Sequence, residues 1–136
     1  MNILITGAVN GANEESKQLY QSIIDACEAY SNSISSPLDT MQFKGTNEER
    51  YKKAMELLKT AELIIAEMSI PSTGQGMELQ EAVNRNIPII IIAKEGSKIS
   101  GLLLGTQKII EMIYYKNKKE LEEKLSMSLK KIHYNN

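Results

Sequence analysis

Short apolar runs alternate along this chain with longer segments in which apolar residues recur every three or four positions, the rhythm of buried strands followed by amphipathic helices. Asn2-Ile3-Leu4-Ile5-Thr6, closed by Gly7, reads as a buried parallel strand. A loop from Gly7 to Asn13 follows. Asn13 is placed to cap a helix whose first turn holds Glu14 and Glu15, carboxylates that suit the positive end of a helix. Leu19, Ile23 and Cys27 give that helix its buried stripe, and it runs to about Tyr30. Ser31 to Ser36 is polar and reads as a surface loop, and Leu38 to Phe43 reads as the second strand. Thr46 with Glu49 three residues later forms a capping-box pattern, and Ala54, Leu57, Leu58 and Ala61 carry the second helix to about Thr60. Leu63 to Ala66 is a strand ending at Glu67, and the turn-rich segment Met68 to Gly76 leads to a helix expected to start near Met77 and end between Asn84 and Asn86. Pro88 to Ala93 is the most hydrophobic strand, and a short helix spans Ile99 to Leu104. Ile109 to Tyr114 is the fifth strand, and Lys118 to Ile132 is a closing helix with Leu121, Leu125 and Leu129 inward.

Strand and helix thus alternate five times, which predicts an α/β fold: a single doubly wound domain over residues 1–136, flavodoxin-like or Rossmann-like, with a five-stranded parallel sheet and helices on both faces. Right-handed crossovers favour the strand order 2-1-3-4-5, whose ligand crevice lies at the carboxyl ends of strands one and three. The loops starting at Gly7 and Glu67 are therefore expected to face each other across the site, with the loop after Ala93 on its border.

Composition narrows the function classes. Sixteen Lys and Arg against seventeen Asp and Glu leave a net charge of −1, and the dense run Lys116, Lys118 and Lys119 is followed by Glu120, Glu122 and Glu123. That mixture reads as a solvated helix face rather than the basic stripe of a nucleic-acid binder. The single cysteine, Cys27, excludes an internal disulfide and a cysteine-built metal site, and its helical neighbours Ile23, Ile24, Ala26 and Tyr30 make it a buried thiol. The lone His133 falls where a frayed tail is expected, which argues against histidine-based catalysis. The apolar run Ile87 to Ala93 is too short to cross a bilayer, and the first residues do not have the form of a signal peptide, so a cytoplasmic protein with no membrane partner is expected.

The densest chemistry lies from Ala61 to Leu79. A strand delivers a polar loop containing Gly74 and Gly76, and Glu78 follows at the start of a helix. Glycine lets backbone approach a ligand closely, and helix N-terminal amides attract anions such as phosphate. The same positive end is expected to favour the ionised form of Glu78, which makes a carboxylate nucleophile available. Position alone leaves a plainer reading open, in which Glu78 is an acid that only complements the helix dipole. Glu67 is either a ligand group or a solvent-facing strand end.

The pattern Ala-Glu-x-Ser-x-Pro-Ser-x-Gly-x-Gly-x-Glu-Leu over Ala66 to Leu79 resembles the signature of the nucleoside 2-deoxyribosyltransferase and 2′-deoxynucleoside 5′-phosphate N-hydrolase superfamily, and a weaker similarity extends from Ile3 to about Gly105. The resemblance implies cleavage of the N-glycosidic bond of a nucleoside or its 5′-monophosphate, by hydrolysis or transfer, with Glu78 attacking C1′ to form a glycosyl-enzyme. It implies no metal or organic cofactor, and a homodimer with shared sites. Ser72, with Gly74 and Gly76, is placed to hold phosphate or sugar. Ser100 matches a serine that reaches the phosphate of the neighbouring subunit, or else caps the short helix. Gly7 and Asn10 are expected on the opposite wall.

Four positions depart from the family pattern. Leu4 stands where a tyrosine is common, Ala8 and Asn10 replace a phosphate-binding Ser and Arg, and Ala54 replaces an aspartate that assists proton transfer to the leaving base. Tyr51, one turn before Ala54, and Glu67 are the candidate substitutes. The departures leave two readings, an enzyme with a rearranged acid and phosphate site or a non-catalytic nucleotide-binding sensor on the same fold. Retention of Glu78 and the glycine loop favours the enzyme. A cytokinin-activating type of phosphoribohydrolase, a flavodoxin, a response regulator and a P-loop protein each lack their defining residues here.

Overall fold

The computed structural model describes residues 1–9 and 13–135. Five parallel strands, β1 (Asn2–Thr6), β2 (Ser33–Ser35), β3 (Leu63–Glu67), β4 (Ile89–Lys94) and β5 (Ile109–Tyr115), form one sheet in the order β2-β1-β3-β4-β5. Helices α1 (Glu14–Cys27), α2 (Pro37–Gln42), α3 (Asn47–Thr60), α4 (Thr73–Asn84), α5 (Gly101–Leu104) and α6 (Lys118–Asn135) connect and cover it. A 3₁₀ turn, Glu28–Tyr30, extends α1.

Two cores flank the sheet because strand side chains alternate between its faces. Ile3, Ile5, Leu63, Ile65, Ile90 and Ile92 point to one face, where Ile23 and Cys27 of α1 and Leu121, Leu125 and Leu129 of α6 pack on them. Leu4, Ile64, Ala66, Ile89 and Ile91 point to the other, against Leu58 of α3 and Leu79 and Ala82 of α4. The central strands β3 and β4 are buried on both faces, which explains their unbroken apolar sequences.

The structure corrects the reading in the segment after α1. Leu38 to Phe43 is not a strand: α2 occupies Pro37–Gln42, and β2 is the three-residue Ser33–Ser35 in what was read as loop. Ser36 accepts from the Leu38 amide, Asp39 accepts from the Ser36 amide, and Pro37 sits at the first helical position, where its missing N–H costs nothing. β2 pairs only with β1, at the sheet edge, so it needs no apolar run.

A second correction concerns α4, which begins at Thr73 rather than near Met77. The Ser72 hydroxyl accepts from the Gln75 amide and starts the helix four residues early, placing Gly74 and Gly76 inside it. At the other end of the chain, His133 belongs to α6 rather than to a frayed tail, with its ring edge-on to Tyr30 at 5.7 Å. Cys27 is buried as expected, and burial pushes its thiol up to about 12. None of the helices among the described residues is long and apolar enough to cross a membrane.

Candidate active site

Where β1 and β3 end, their chains part to either side of the sheet, and a cleft of about 290 Å³ opens above β1 between α2, α3 and the N-terminus of α4. Thr6, Gly7 and Val9 form its floor, Ser72, Gly74, Gln75 and Glu78 one wall, and Asp39, Phe43, Arg50, Tyr51, Lys53 and Ala54 the other. Of the residues expected to act together, Glu78, Tyr51, Gly7, Ser72 and Gly74 therefore share one cavity. Asn10, expected on the same wall as Gly7, lies outside the described residues.

Gln75 fixes the geometry of this wall. It is buried in the first turn of α4, and its side-chain amide donates to the Thr6 hydroxyl at 3.1 Å and to the Glu67 carbonyl at 2.9 Å. One side chain thus ties the helix start to the ends of β1 and β3. The early start of α4 also moves Glu78 into its second turn, away from the free amides. Burial then outweighs the helix dipole, and the carboxyl of half-buried Glu78 is raised from 4.5 to about 7. The expectation that the helix end holds Glu78 ionised is overturned by desolvation. Near neutrality the group exists in both forms.

The two glycines of α4 differ from Gly7 in what surrounds them. A Cβ at Gly74 or Gly76 meets nothing within 4 Å, so both face open space. A Cβ at Gly7 falls 2.2 Å from the Tyr20 hydroxyl. Gly7 is there because the Tyr20 ring crosses it on the way to its 2.7 Å hydrogen bond with the Ala8 carbonyl. Tyr20 itself is held neutral by burial and by the nearby Glu67 charge, both of which push its hydroxyl well above the usual range.

Glu67 stands apart from the cleft. It shares the strand face of Leu63 and Ile65 and is 4% exposed, so it is not a solvent-facing strand end. Its Oε1 accepts from the Ser69 amide at 2.6 Å and its Oε2 from the Tyr115 hydroxyl at 2.7 Å. Oε1 thereby holds the start of the loop that leads to Ser72, and Oε2 ties the end of β3 to the end of β5. Ser100 and Gly76 line a separate cavity of about 400 Å³ on the far side of α4, together with Lys98, Leu102 and Thr106. The loop after β4 therefore borders that cavity rather than the cleft, contrary to expectation. Ser100 occupies the N-cap position of α5, yet its side chain makes no capping hydrogen bond. Ser72 alone among these residues touches both cavities.

Sequence reasoning missed Asp39, Phe43, Arg50, Lys53 and Gln75. The first two were hidden by reading α2 as a strand. The α3 residues look like an ordinary solvated helix face in one dimension, whereas a polar Gln75 between two glycines on the inner side of a helix was a signal that could have been used.

Comparison with known proteins bears on the family and the fold. A protein of Syntrophotalea carbinolica provisionally named 2′-deoxynucleoside 5′-phosphate N-hydrolase 1 is 31% identical over 122 residues, covering 84% of this chain and 84% of that protein. The chain belongs to this N-hydrolase family, within the nucleoside 2-deoxyribosyltransferase superfamily. Its fold is shared with the CMP N-glycosidase of Clostridium botulinum, at a TM-score of 0.71 and 19% identity, over 92% of this chain and 98% of that one. The 2-deoxyribosyltransferase of Bacillus psychrosaccharolyticus shares it at a TM-score of 0.70 and 18% identity, over 95% and 96% of the two chains. No protein-family model matches the chain.

Proposed function

We propose that this protein is an enzyme that cleaves the N-glycosidic bond of a (deoxy)nucleoside 5′-monophosphate, or of the corresponding nucleoside, through a covalent glycosyl-Glu78 intermediate. The observation that carries the reading is the half-buried carboxyl of Glu78 on the wall of a small cleft in a member of this N-hydrolase family. A carboxylate attacking C1′ divides one difficult displacement into two easier ones, as in retaining glycoside hydrolysis. Water completes hydrolysis, or a second base completes transfer.

The substrate lies along the cleft. Its phosphate or sugar meets Ser72 and the open backbone at Gly74, where free helix amides favour an anion. C1′ sits over Glu78, and the base reaches the wall formed by α2 and α3. On that wall Tyr51 is 56% exposed and lines the cleft, so its hydroxyl is free to donate a hydrogen bond to the departing base. Glu67 acts at one remove, as a positioning residue that holds the Ser69 amide. Ser100 and Gly76 face away from the cleft of their own chain, so a Ser100 that helps hold phosphate does so in a second copy, and the working unit is a homodimer.

The test is chromatographic detection of free base after incubation with ribo- and deoxyribonucleosides and their 5′-monophosphates. Base release by the native protein that disappears in Glu78→Gln supports the reading and names the substrate. Nucleotide binding by both proteins with no release from any compound overturns it in favour of a sensor.

A further inference from the structure

The wall that faces Glu78 carries cations and no acid from α3. Arg50, Tyr51, Lys53 and Ala54 line the cleft, whereas the acidic residues of that helix, Glu48, Glu49 and Glu56, do not. Asp39 contributes the remaining carboxylate, and its Oδ2 already accepts from the Ser36 amide in the cap of α2. Arg50 is held in place: its Nη1 donates to the Thr40 carbonyl at 3.4 Å, and its guanidinium lies over the Phe43 ring, 5.1 Å from the centroid. Lys53 approaches the same ring at 5.3 Å. Neither cation takes part in any ion pair among the described residues.

We infer that Arg50 is a catalytic residue of this reaction, a fixed cation that stabilises the departing base as an anion in place of a carboxylic acid that protonates it. The inference rests on the N-glycosidase reading. When Glu78 attacks C1′, the C1′–N bond breaks and its electron pair passes to the ring nitrogen of the base. The guanidinium donates hydrogen bonds to that charge through its planar fork of N–H groups. The base takes a proton from water as it leaves. A second water then attacks C1′, its proton passes to solvent, and Glu78 is freed. A charge placed where negative charge develops acts more strongly in the transition state than in the ground state, so its effect belongs in kcat.

The experiment compares native protein, Arg50→Gln and Arg50→Lys on the substrate found by base release. Each is also tested on the counterpart whose base bears an electron-withdrawing substituent and on the same two compounds without the 5′-phosphate. The expected result is a drop in kcat of about 10²–10³-fold for Arg50→Gln on the parent compound. The drop shrinks to less than about tenfold for the acidified base and is the same with or without phosphate. Guanidinium ion in the buffer restores part of the loss. Arg50 is exposed, so unchanged thermal unfolding of the variants is expected and is checked alongside. A loss confined to KM that vanishes without the phosphate overturns the inference and assigns Arg50 to phosphate binding. A loss independent of the base also overturns it. Absence of base release by native protein removes the N-glycosidase reading itself, and the inference with it, whereas release by native protein with unimpaired Arg50→Gln removes only the inference.

Discussion

At the scale of single residues, the protonation of Glu78 governs both activity and stability. Its carboxyl is raised from 4.5 to about 7 by burial, and the ionised form is the proposed nucleophile, so kcat/KM is predicted to climb with pH and to level off above about 7. The same shift affects stability with the opposite tendency. Between about 4.5 and 7 the unfolded chain gives up the Glu78 proton while the folded chain retains it, so folding loses stability as pH rises through that window. Glu78→Gln removes the difference. The variant is predicted to unfold at higher urea than native protein at pH 8, by roughly 2–3 kcal/mol, and to match it near pH 4. Urea midpoints at the two pH values check this. Gly7 makes a different kind of residue-scale prediction. A methyl group there collides with Tyr20, so Gly7→Ala is expected to lower stability by about 1–3 kcal/mol whatever it does to substrate binding.

At the scale of elements, α4 decides the site, because its first turn carries both the Ser72 cap and the Gln75 tie. Ser72→Ala is predicted to cost about 0.5–2 kcal/mol of stability through the lost cap, and to raise KM for the 5′-monophosphate more than for the nucleoside. Titration in urea with steady-state kinetics on both compounds separates the two effects. This helix also marks the boundary of what one dimension reveals. Glu78, Ser72 and the glycines were legible as a motif, because their spacing and chemistry are local. The helix start was not, since glycines and a proline suggest a loop, and only the Ser72 and Gln75 hydrogen bonds show the chain already turning at Thr73. The same conflict arose in α2, where Leu38 and Met41 fit a strand as well as a helix until the Ser36 and Asp39 cap decides. Long apolar strands and the Thr46 to Glu49 cap carried no such ambiguity and read correctly.

At the scale of the molecule, the order β2-β1-β3-β4-β5 was legible because alternation and handedness leave few alternatives, and of the two strand ends that this topology predicts for the crevice, the cleft is lined by β1 and not by β3. What no local pattern could supply is the side of the sheet on which a residue falls. Glu67 follows the last apolar residue of β3, and strand parity sends it to the α1 and α6 face, away from Glu78. Ser100 likewise lies beyond α4 on a second cavity. The dimer proposed to bring Ser100 back into play makes its own prediction. Leu102, two residues on and 89% exposed, sits on the rim of that cavity. Leu102→Asp is expected to shift sedimentation from dimer to monomer and to lower activity at the same time, whereas a monomeric native protein with full activity contradicts the shared site.

Glu78 is proposed to form a bond to C1′, and the stereochemistry of the product reports whether it does. With methanol present as acceptor, proton magnetic resonance of the sugar product reports the configuration at C1′. Two displacements predict a methyl glycoside with the configuration of the starting nucleotide, formed by native protein and not by Glu78→Gln. A product of inverted configuration means that water or methanol attacks in a single displacement, and Glu78 is then not the nucleophile.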